Sequence, residues 1–149
     1  MNTLTPEQEE ARAAYNLIVE SAELGDIRLV GLNFKVNPAY YEIIDGGGKA
    51  KPKNSFGVEI SKPNYDADNQ ILGADFEWKV EITASRKKLL TISATFLAVY
   101  FNVPESDAKH HSAYLHRVGR FATYPYFRSL VAQMSWESRT ELPVLPVLK

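Results

Sequence analysis

The sequence predicts an α+β fold: a four-stranded antiparallel sheet with a helix before it and helices after it, packed on one face. Three observations carry this prediction. Apolar residues recur at helical spacing only near the two ends of the chain. Strict alternation of apolar and polar residues fills the middle. The two regions are separated by proline- and glycine-containing connections.

Thr5-Pro6-Glu7-Gln8 reads as a helix start, with Thr5 as cap, Pro6 at the first helical position and Gln8 completing a capping box. Ala11, Ala14, Tyr15, Ile18 and Ala22 follow at helical spacing, and Gly25 is the expected stop, giving a helix over about 6–24. Residues 26–36 alternate as a strand. A long connection from Asn37 to Asn54 holds Tyr40-Tyr41, Ile43-Ile44 and then Gly46-Gly47-Gly48, and is expected to be irregular and mobile. Phe56, Val58 and Ile60 share a face of a second strand, which Pro63 ends. In the third, Ala74, Phe76, Trp78, Val80, Ile82 and Ala84 face one way and Asp75, Glu77, Lys79, Glu81 and Thr83 the other. Ser85 to Lys88 is the turn into a fourth strand, Leu89 to Asn102. Its second face grows apolar toward Leu97, Val99 and Phe101, as expected of a strand that is covered there or meets a partner. Helices are expected over about 106–136, with a break at Tyr124-Pro125 and a second helix from Tyr126. The tail, 142–149, cannot be helical because two prolines interrupt it. All of this fits one domain over 1–149, a length whose folding buries roughly two-thirds of the unfolded chain's surface.

Composition narrows the function. A net charge of −1 and a pI near 6.3 give no electrostatic drive toward nucleic acid or an anionic membrane. Neither Arg86-Lys87-Lys88 nor Arg117 with Arg120 amounts to a basic stripe. No cysteine is present, which excludes disulfides and thiolate metal sites and suits a reducing compartment. The acidic start of the chain is not a secretory signal, and no stretch approaches the ~18 apolar residues of a membrane span. A cytoplasmic location is expected. His110 and His111 are adjacent and His116 lies off the i, i+4 spacing of a zinc helix, so no metal is expected. The carboxylates Asp75, Glu77 and Glu81 alternate with core residues and mix with Lys79, as on a solvated sheet face. The three glycines lack the residues of a phosphate loop, and no nucleophile elbow occurs. The expectation is no cofactor and no catalysis, against the alternative of a small α+β enzyme or ligand-binding domain with an enclosed polar pocket.

The densest aromatic patch is Phe121-Ala122-Thr123-Tyr124-Pro125-Tyr126-Phe127-Arg128. Tyr124-Pro125-Tyr126-Phe127-Arg128, followed by Leu130 and Val131 and then Leu142-Pro143-Val144-Leu145, resembles the C-terminal signature of the SecB chaperones. Gly119-Arg120-Phe121 and Asp26-Ile27-Arg28-Leu29 look more like the SecB-like chaperones of toxin–antitoxin–chaperone systems than like the export-dedicated members. Two features depart from the family: Glu137 to Glu141 stands where a Gly-Gly turn is usual, and the sequence stops at Lys149 where export-type members continue into a second helix.

The resemblance implies an ATP-independent holdase for unfolded polypeptide, with an antitoxin as client, its toxin as indirect partner and phage defence as a setting. The runner-up is a general export chaperone that hands preproteins to the translocase motor. It also implies a homotetramer, a dimer of dimers with helices between two sheets. Phe127, Leu130, Val131 and Met134 are candidates for that helix layer, or for packing on the chain's own sheet. The client groove is expected to be lined by Tyr40, Tyr41, Ile43 and Ile44 with Trp136, Leu142, Val144 and Leu145. It would be more open than in export-type members, or covered by Leu142 to Leu148.

Overall fold

The structure is a computed structural model and describes residues 3–46, 51–143, 145, 146 and 148. Helix α1 spans Pro6–Ser21, opened by the capping box: the Gln8 N–H donates to Thr5 Oγ1 (3.2 Å) and the Thr5 N–H to Gln8 Oε1 (2.9 Å). It stops before Gly25. Ala22 is already extended, and strand β1, Glu23–Val36, starts by pairing Glu23 with Phe101, so sheet pairing overrides the helical pattern of residues 22–24. Gly25 lies in that strand.

Residues expected to be irregular form a short helix, α2, Ala39–Ile44, entered where the Ala39 N–H donates to Asn37 Oδ1 (3.0 Å). Gly47 and Gly48 lie outside the described residues. Strand β2 is Lys53–Ile60, β4 is Ile71–Ala84 and β5 is Lys87–Phe101. A three-residue strand, β3, Asn64–Asp66, adds a fifth to the expected four by pairing with the start of β4. The order is β1-β5-β4-β2, antiparallel throughout. The β4–β5 turn is tighter than expected. Only Ser85 and Arg86 are unpaired, at φ 50° and 65°, as a two-residue type I′ hairpin requires. In β1 a bulge at Val30 puts Leu29 on the same face as Leu32, Phe34 and Val36.

The alternation in β4 and β5 sorts the sheet's faces. Phe76, Trp78, Ile82, Leu90, Ile92 and Ala98 are all buried toward the helices, while Asp75 and Glu77 are exposed on the other face. On that outer face Leu97 and Val99 are half-buried and Phe101 is exposed. Over the inner face runs one helical rod: α3, Ala108–Tyr114, a π-helical turn, Leu115–Gly119, and α4, Arg120–Ser138. Helix α1 packs against α3.

The expected break at Pro125 does not occur; the proline sits inside α4. It removes the N–H that would bond the Phe121 carbonyl, but Phe121 and Pro125 both lie on the exposed side, where water can satisfy that oxygen. The buried side, Thr123, Tyr124, Phe127 and Val131, carries the helix past the gap. The π turn helps keep that side in register. Leu115, Gly119, Thr123, Phe127 and Val131 are all buried at intervals of four residues, and a regular helix rotates such a row by roughly 40° per step. A wider turn takes part of that rotation back. Gly119 also lets the rod lie close on the sheet: a Cβ there would stand 2.4 Å from Phe76 Cζ.

Candidate functional site

Helix α4 and the tail build an open concave surface. An aromatic cluster lies beneath it, and of its rings Tyr124 reaches the lining. Trp78 stacks with Phe56 (centroids 5.6 Å) and with Phe127 (6.0 Å), and Tyr124 leans on Trp78 (5.1 Å). The Trp78 indole N–H donates to Thr123 Oγ1 (2.9 Å), and that hydroxyl donates to the Gly119 carbonyl (2.9 Å), so the buried polar atoms under the site are paired.

After α4 the chain reverses. Arg139 (φ 56°) and Glu141 (φ 54°) take left-handed conformations on either side of a fully buried Thr140. The Thr140 N–H donates to the Ser135 carbonyl (3.2 Å), the Leu142 N–H to Ser135 Oγ (2.8 Å) and the Ser138 hydroxyl to the Met134 carbonyl (2.6 Å). From α2, the Tyr41 hydroxyl donates to the Ser138 carbonyl (2.7 Å) and the Tyr40 hydroxyl to the Thr140 carbonyl (2.8 Å). Further along, the Tyr124 hydroxyl donates to the Pro146 carbonyl. Leu142 is thus held at Ser135 and Pro146 at Tyr124, positions separated by roughly 16 Å of helix axis, so the chain runs back along α4.

Two spaces flank the tail. A groove of about 1090 Å³ lies between it and the outer side of α4, lined by Phe121, Pro125, Trp136, Leu142, Leu145 and Leu148, with Arg128, Arg139, Glu137 and Glu141 among its charged residues. A smaller cavity of about 250 Å³ lies toward the sheet, bounded by Phe56, Val80, Ile82 and Val131 and, on the tail, Leu142, Pro143 and Leu145. Trp136 is 83% exposed, while Leu145 is buried. Burial raises the pKa of the Tyr40 hydroxyl, helped by the nearby Glu141 and Tyr41, and burial raises that of Tyr124 against the lowering effect of Arg128. Both phenols are therefore neutral donors at pH 7.

The sequence-predicted site residues divide. Trp136, Leu142 and Leu145 line the groove. Tyr40 is buried and Tyr41 half-buried, and both touch the root of the tail through their hydroxyls; Ile43 and Ile44 are half-buried against the core. Val144 lies outside the described residues. Of the four residues considered for a helix layer, Phe127 and Val131 are buried in the chain's own core, and Leu130 and Met134 are partly buried against it. Phe121, Tyr124, Pro125 and Arg128 line the groove without having been assigned to it; their signal was the aromatic patch itself. His110 Nδ1 stands 2.8 Å from Ser106 Oγ, and His111 is buried with Nε2 3.0 Å from the Pro104 carbonyl. Among the described residues no three potential metal ligands gather, and no helix is long and apolar enough to cross a membrane.

A second apolar surface lies on β1, an edge strand paired on one side only with β5. Leu24, Leu29 and Leu32 point to the helix side of the sheet yet remain about half exposed, and Val30 at the bulge is 55% exposed.

The layout of an N-terminal helix, an antiparallel sheet and C-terminal helices on one face is that of the SecB-like chaperone fold. It superimposes on the SecB-like chaperone Rv1957 of Mycobacterium tuberculosis, solved in complex with a ChAD peptide from the antitoxin HigA1 (Rv1956), with TM-score 0.65 and 22% identity over 92% of this chain and 97% of that one. A protein of unknown function from Streptococcus agalactiae aligns more loosely, with TM-score 0.41 and 11% identity over 86% of this chain and 96% of that one, and carries no argument. No family model matches the chain, and no curated protein matches it in sequence.

Proposed function

We propose that this protein is an ATP-independent chaperone, a holdase that captures unfolded or aggregation-prone polypeptide in the groove between α4 and the tail. The observation that carries the reading is the apolar groove itself: about 1090 Å³, open to solvent, with an indole exposed in it and charged residues beside it. A soluble protein that keeps such a surface uncovered has a use for it. The shared fold supports the reading, because the Mycobacterium tuberculosis chaperone was solved with a peptide of an antitoxin bound. The finer reading takes an antitoxin as the client, within a cytoplasmic toxin–antitoxin–chaperone system with a place in phage defence. Delivery of preproteins to a translocase is the alternative.

Capture by such a groove needs no chemical step, metal or nucleotide, and release follows from folding or hand-over of the client. The chain also works as an oligomer, a dimer of dimers. Support for that comes from β1, whose free edge and half-exposed leucines suit a second protein surface, while Phe127 and Val131 are occupied internally. Leu130 and Met134 remain the candidates on α4. Co-purification from the native host, followed by identification of the bound polypeptide, tests the client. Recovery of an antitoxin supports the finer reading, a mixture of preproteins favours export, and an isolated chain with no polypeptide above background contradicts both.

A further inference from the structure

The outer face of the sheet sorts its charges by sign. The register sets Lys53 of β2 opposite Thr83 of β4, Thr83 opposite Lys88 of β5, and Thr91 of β5 between Glu81 of β4 and Lys35 of β1. Directly opposed residues share a face, so Lys35, Lys53, Lys79 and Lys88 all stand on the hairpin half of the outer face. Arg86 adds a fifth cation at the tip of the turn. The other half carries Asp75, Glu59 and Glu77, the last two directly opposite each other. Arg86-Lys87-Lys88 is a short run in the sequence, and strand pairing adds to it lysines from three other strands.

Glu81 is the carboxylate within this half. Lys79 and Lys88 both bridge to it, at 2.8 and 3.4 Å, while Lys35, Lys53 and Arg86 are exposed and form no ion pair among the described residues. The carboxylates of α2, Glu42 and Asp45, are carried on a helix that packs toward the other face. Solubility does not explain this arrangement. Lysines on edge strands deter edge pairing, which accounts for Lys35 and Lys53. It does not account for Lys79 and Lys88 on the two central strands, nor for a segregation of sign that costs repulsion within each half. Separated charge of this kind steers and orients a charged partner.

We infer that the hairpin half of the outer face is a docking surface for an acidic segment of a second polypeptide, one with Asp or Glu at alternate positions. Lys53 and Lys35 lie on the two outermost strands, three strand spacings or roughly 14 Å apart across the sheet. Carboxylates on alternate residues of an extended segment stand roughly 7 Å apart, so three of them cover that width. The side chains between the lysines are Ser55, Thr83, Thr91 and Ser93. Among the described residues this half has no aromatic ring to stack a nucleic-acid base and no apolar face to enter a membrane. Glu59, Glu77 and Asp75 repel the same segment, which holds it at the hairpin end. The groove lies on the helix side of the sheet, so both surfaces can be filled at once, and the inference does not rest on the chaperone reading.

The test titrates the full chain with a fluorescent peptide of alternating glutamate and serine, beside the same peptide with glutamine for glutamate. The acidic peptide is expected to bind saturably, roughly tenfold or more tighter than its neutral counterpart, and to weaken about fivefold between ~50 and ~200 mM salt. The variant Lys35→Gln, Lys53→Gln, Lys88→Gln is expected to lose roughly tenfold or more in affinity; if it does not fold, Lys53→Gln alone is expected to lose about threefold. Glu59→Gln with Glu77→Gln should bind the acidic peptide as tightly as the parent or tighter. Equal affinity of the parent and the lysine variant, or equal affinity for the two peptides, overturns the inference. An oligothymidylate of the same charge is the third probe, and tighter binding of it than of the acidic peptide overturns the assignment to a polypeptide. Suppression of aggregation is measured in parallel on a denatured protein diluted from guanidinium, and the lysine variant is expected to match the parent. If suppression is absent in every form while the acidic peptide binds as described, the chaperone reading falls and this inference stands.

Discussion

Trp136 stands on the last turns of α4 with 83% of its surface in water, and nothing in the protomer's own packing requires an indole there. Covering even half of a side chain that offers roughly 200 Å² is worth about 2.5 kcal/mol at ~25 cal/mol/Å². Trp136→Ala is therefore expected to weaken peptide binding by more than tenfold in a fluorescence titration while shifting stability by no more than ~0.5 kcal/mol in a denaturant melt. Thr123 and Gly119 lie at the opposite extreme of burial. Thr123→Val leaves the Trp78 indole N–H without its partner, a loss of about 1–3 kcal/mol. Gly119→Ala should gain helix propensity of ~1 kcal/mol, but the new methyl meets the fully buried Phe76 ring, and overpacking of that kind costs about 1–3 kcal/mol. The net expectation is a lower denaturant midpoint with an unchanged slope; a midpoint above the parent's would show that Phe76 can move aside.

At the level of elements, the Tyr124 hydroxyl ties Pro146 of the tail to α4 and the Tyr40 hydroxyl ties the turn at Thr140 to α2, and the titration of these two phenols sets the pH range of the ties. Burial raises the folded-state pKa of Tyr40 and Tyr124 above the unfolded value near 10. Their contribution is fully present below about pH 10 and is lost as pH rises through the raised folded values, because the unfolded chain then releases its protons first. Tyr100 and Tyr114, also raised by burial, act in the same direction in the core. The melting temperature should stay flat from pH 7 to about 9.5 and fall above pH 10, and less steeply in Tyr124→Phe; a fall beginning near pH 8 would point to groups other than these phenols. Reading these elements from sequence succeeded where one local rule decided the outcome, as in the α1 capping box, the alternation of β4 and the non-helical tail. It failed where tertiary contact overruled a local rule. Pro125 is a helix breaker whose missing N–H falls on the solvent side, where it costs little. Residues 39–44 look like an irregular loop, but the carbonyls of Ser138 and Thr140 that Tyr41 and Tyr40 bind lie about a hundred residues away in sequence. The groove was half legible for the same reason: Trp136, Leu142 and Leu145 are apolar in a segment with no helix of its own to bury them. Tyr124 and Arg128 join the groove only because the chain turns back at Thr140.

Among the described residues, one apolar surface is uncovered along the tail groove and another at β1. An edge strand of 14 residues flanked by half-exposed leucines invites pairing with another chain, and a protein that stays soluble must cover or charge it. We expect a homo-oligomer, a tetramer, by light scattering at micromolar concentration. A 16.8 kDa monomer would contradict that. Leu29→Lys with Leu32→Lys should dissociate the assembly if β1 is its contact, leaving the melt of the protomer broadly intact, since neither side chain is buried within it. The account as a whole rests on the groove being a surface for unfolded chain. Its most direct test follows light scattering as a guanidinium-denatured protein is diluted into buffer without nucleotide. The account predicts that near-stoichiometric amounts of this chain suppress the scattering, that ATP adds nothing, and that Trp136→Ala suppresses it far less. Scattering that is unchanged at a several-fold molar excess, with ATP or without it, would contradict the account.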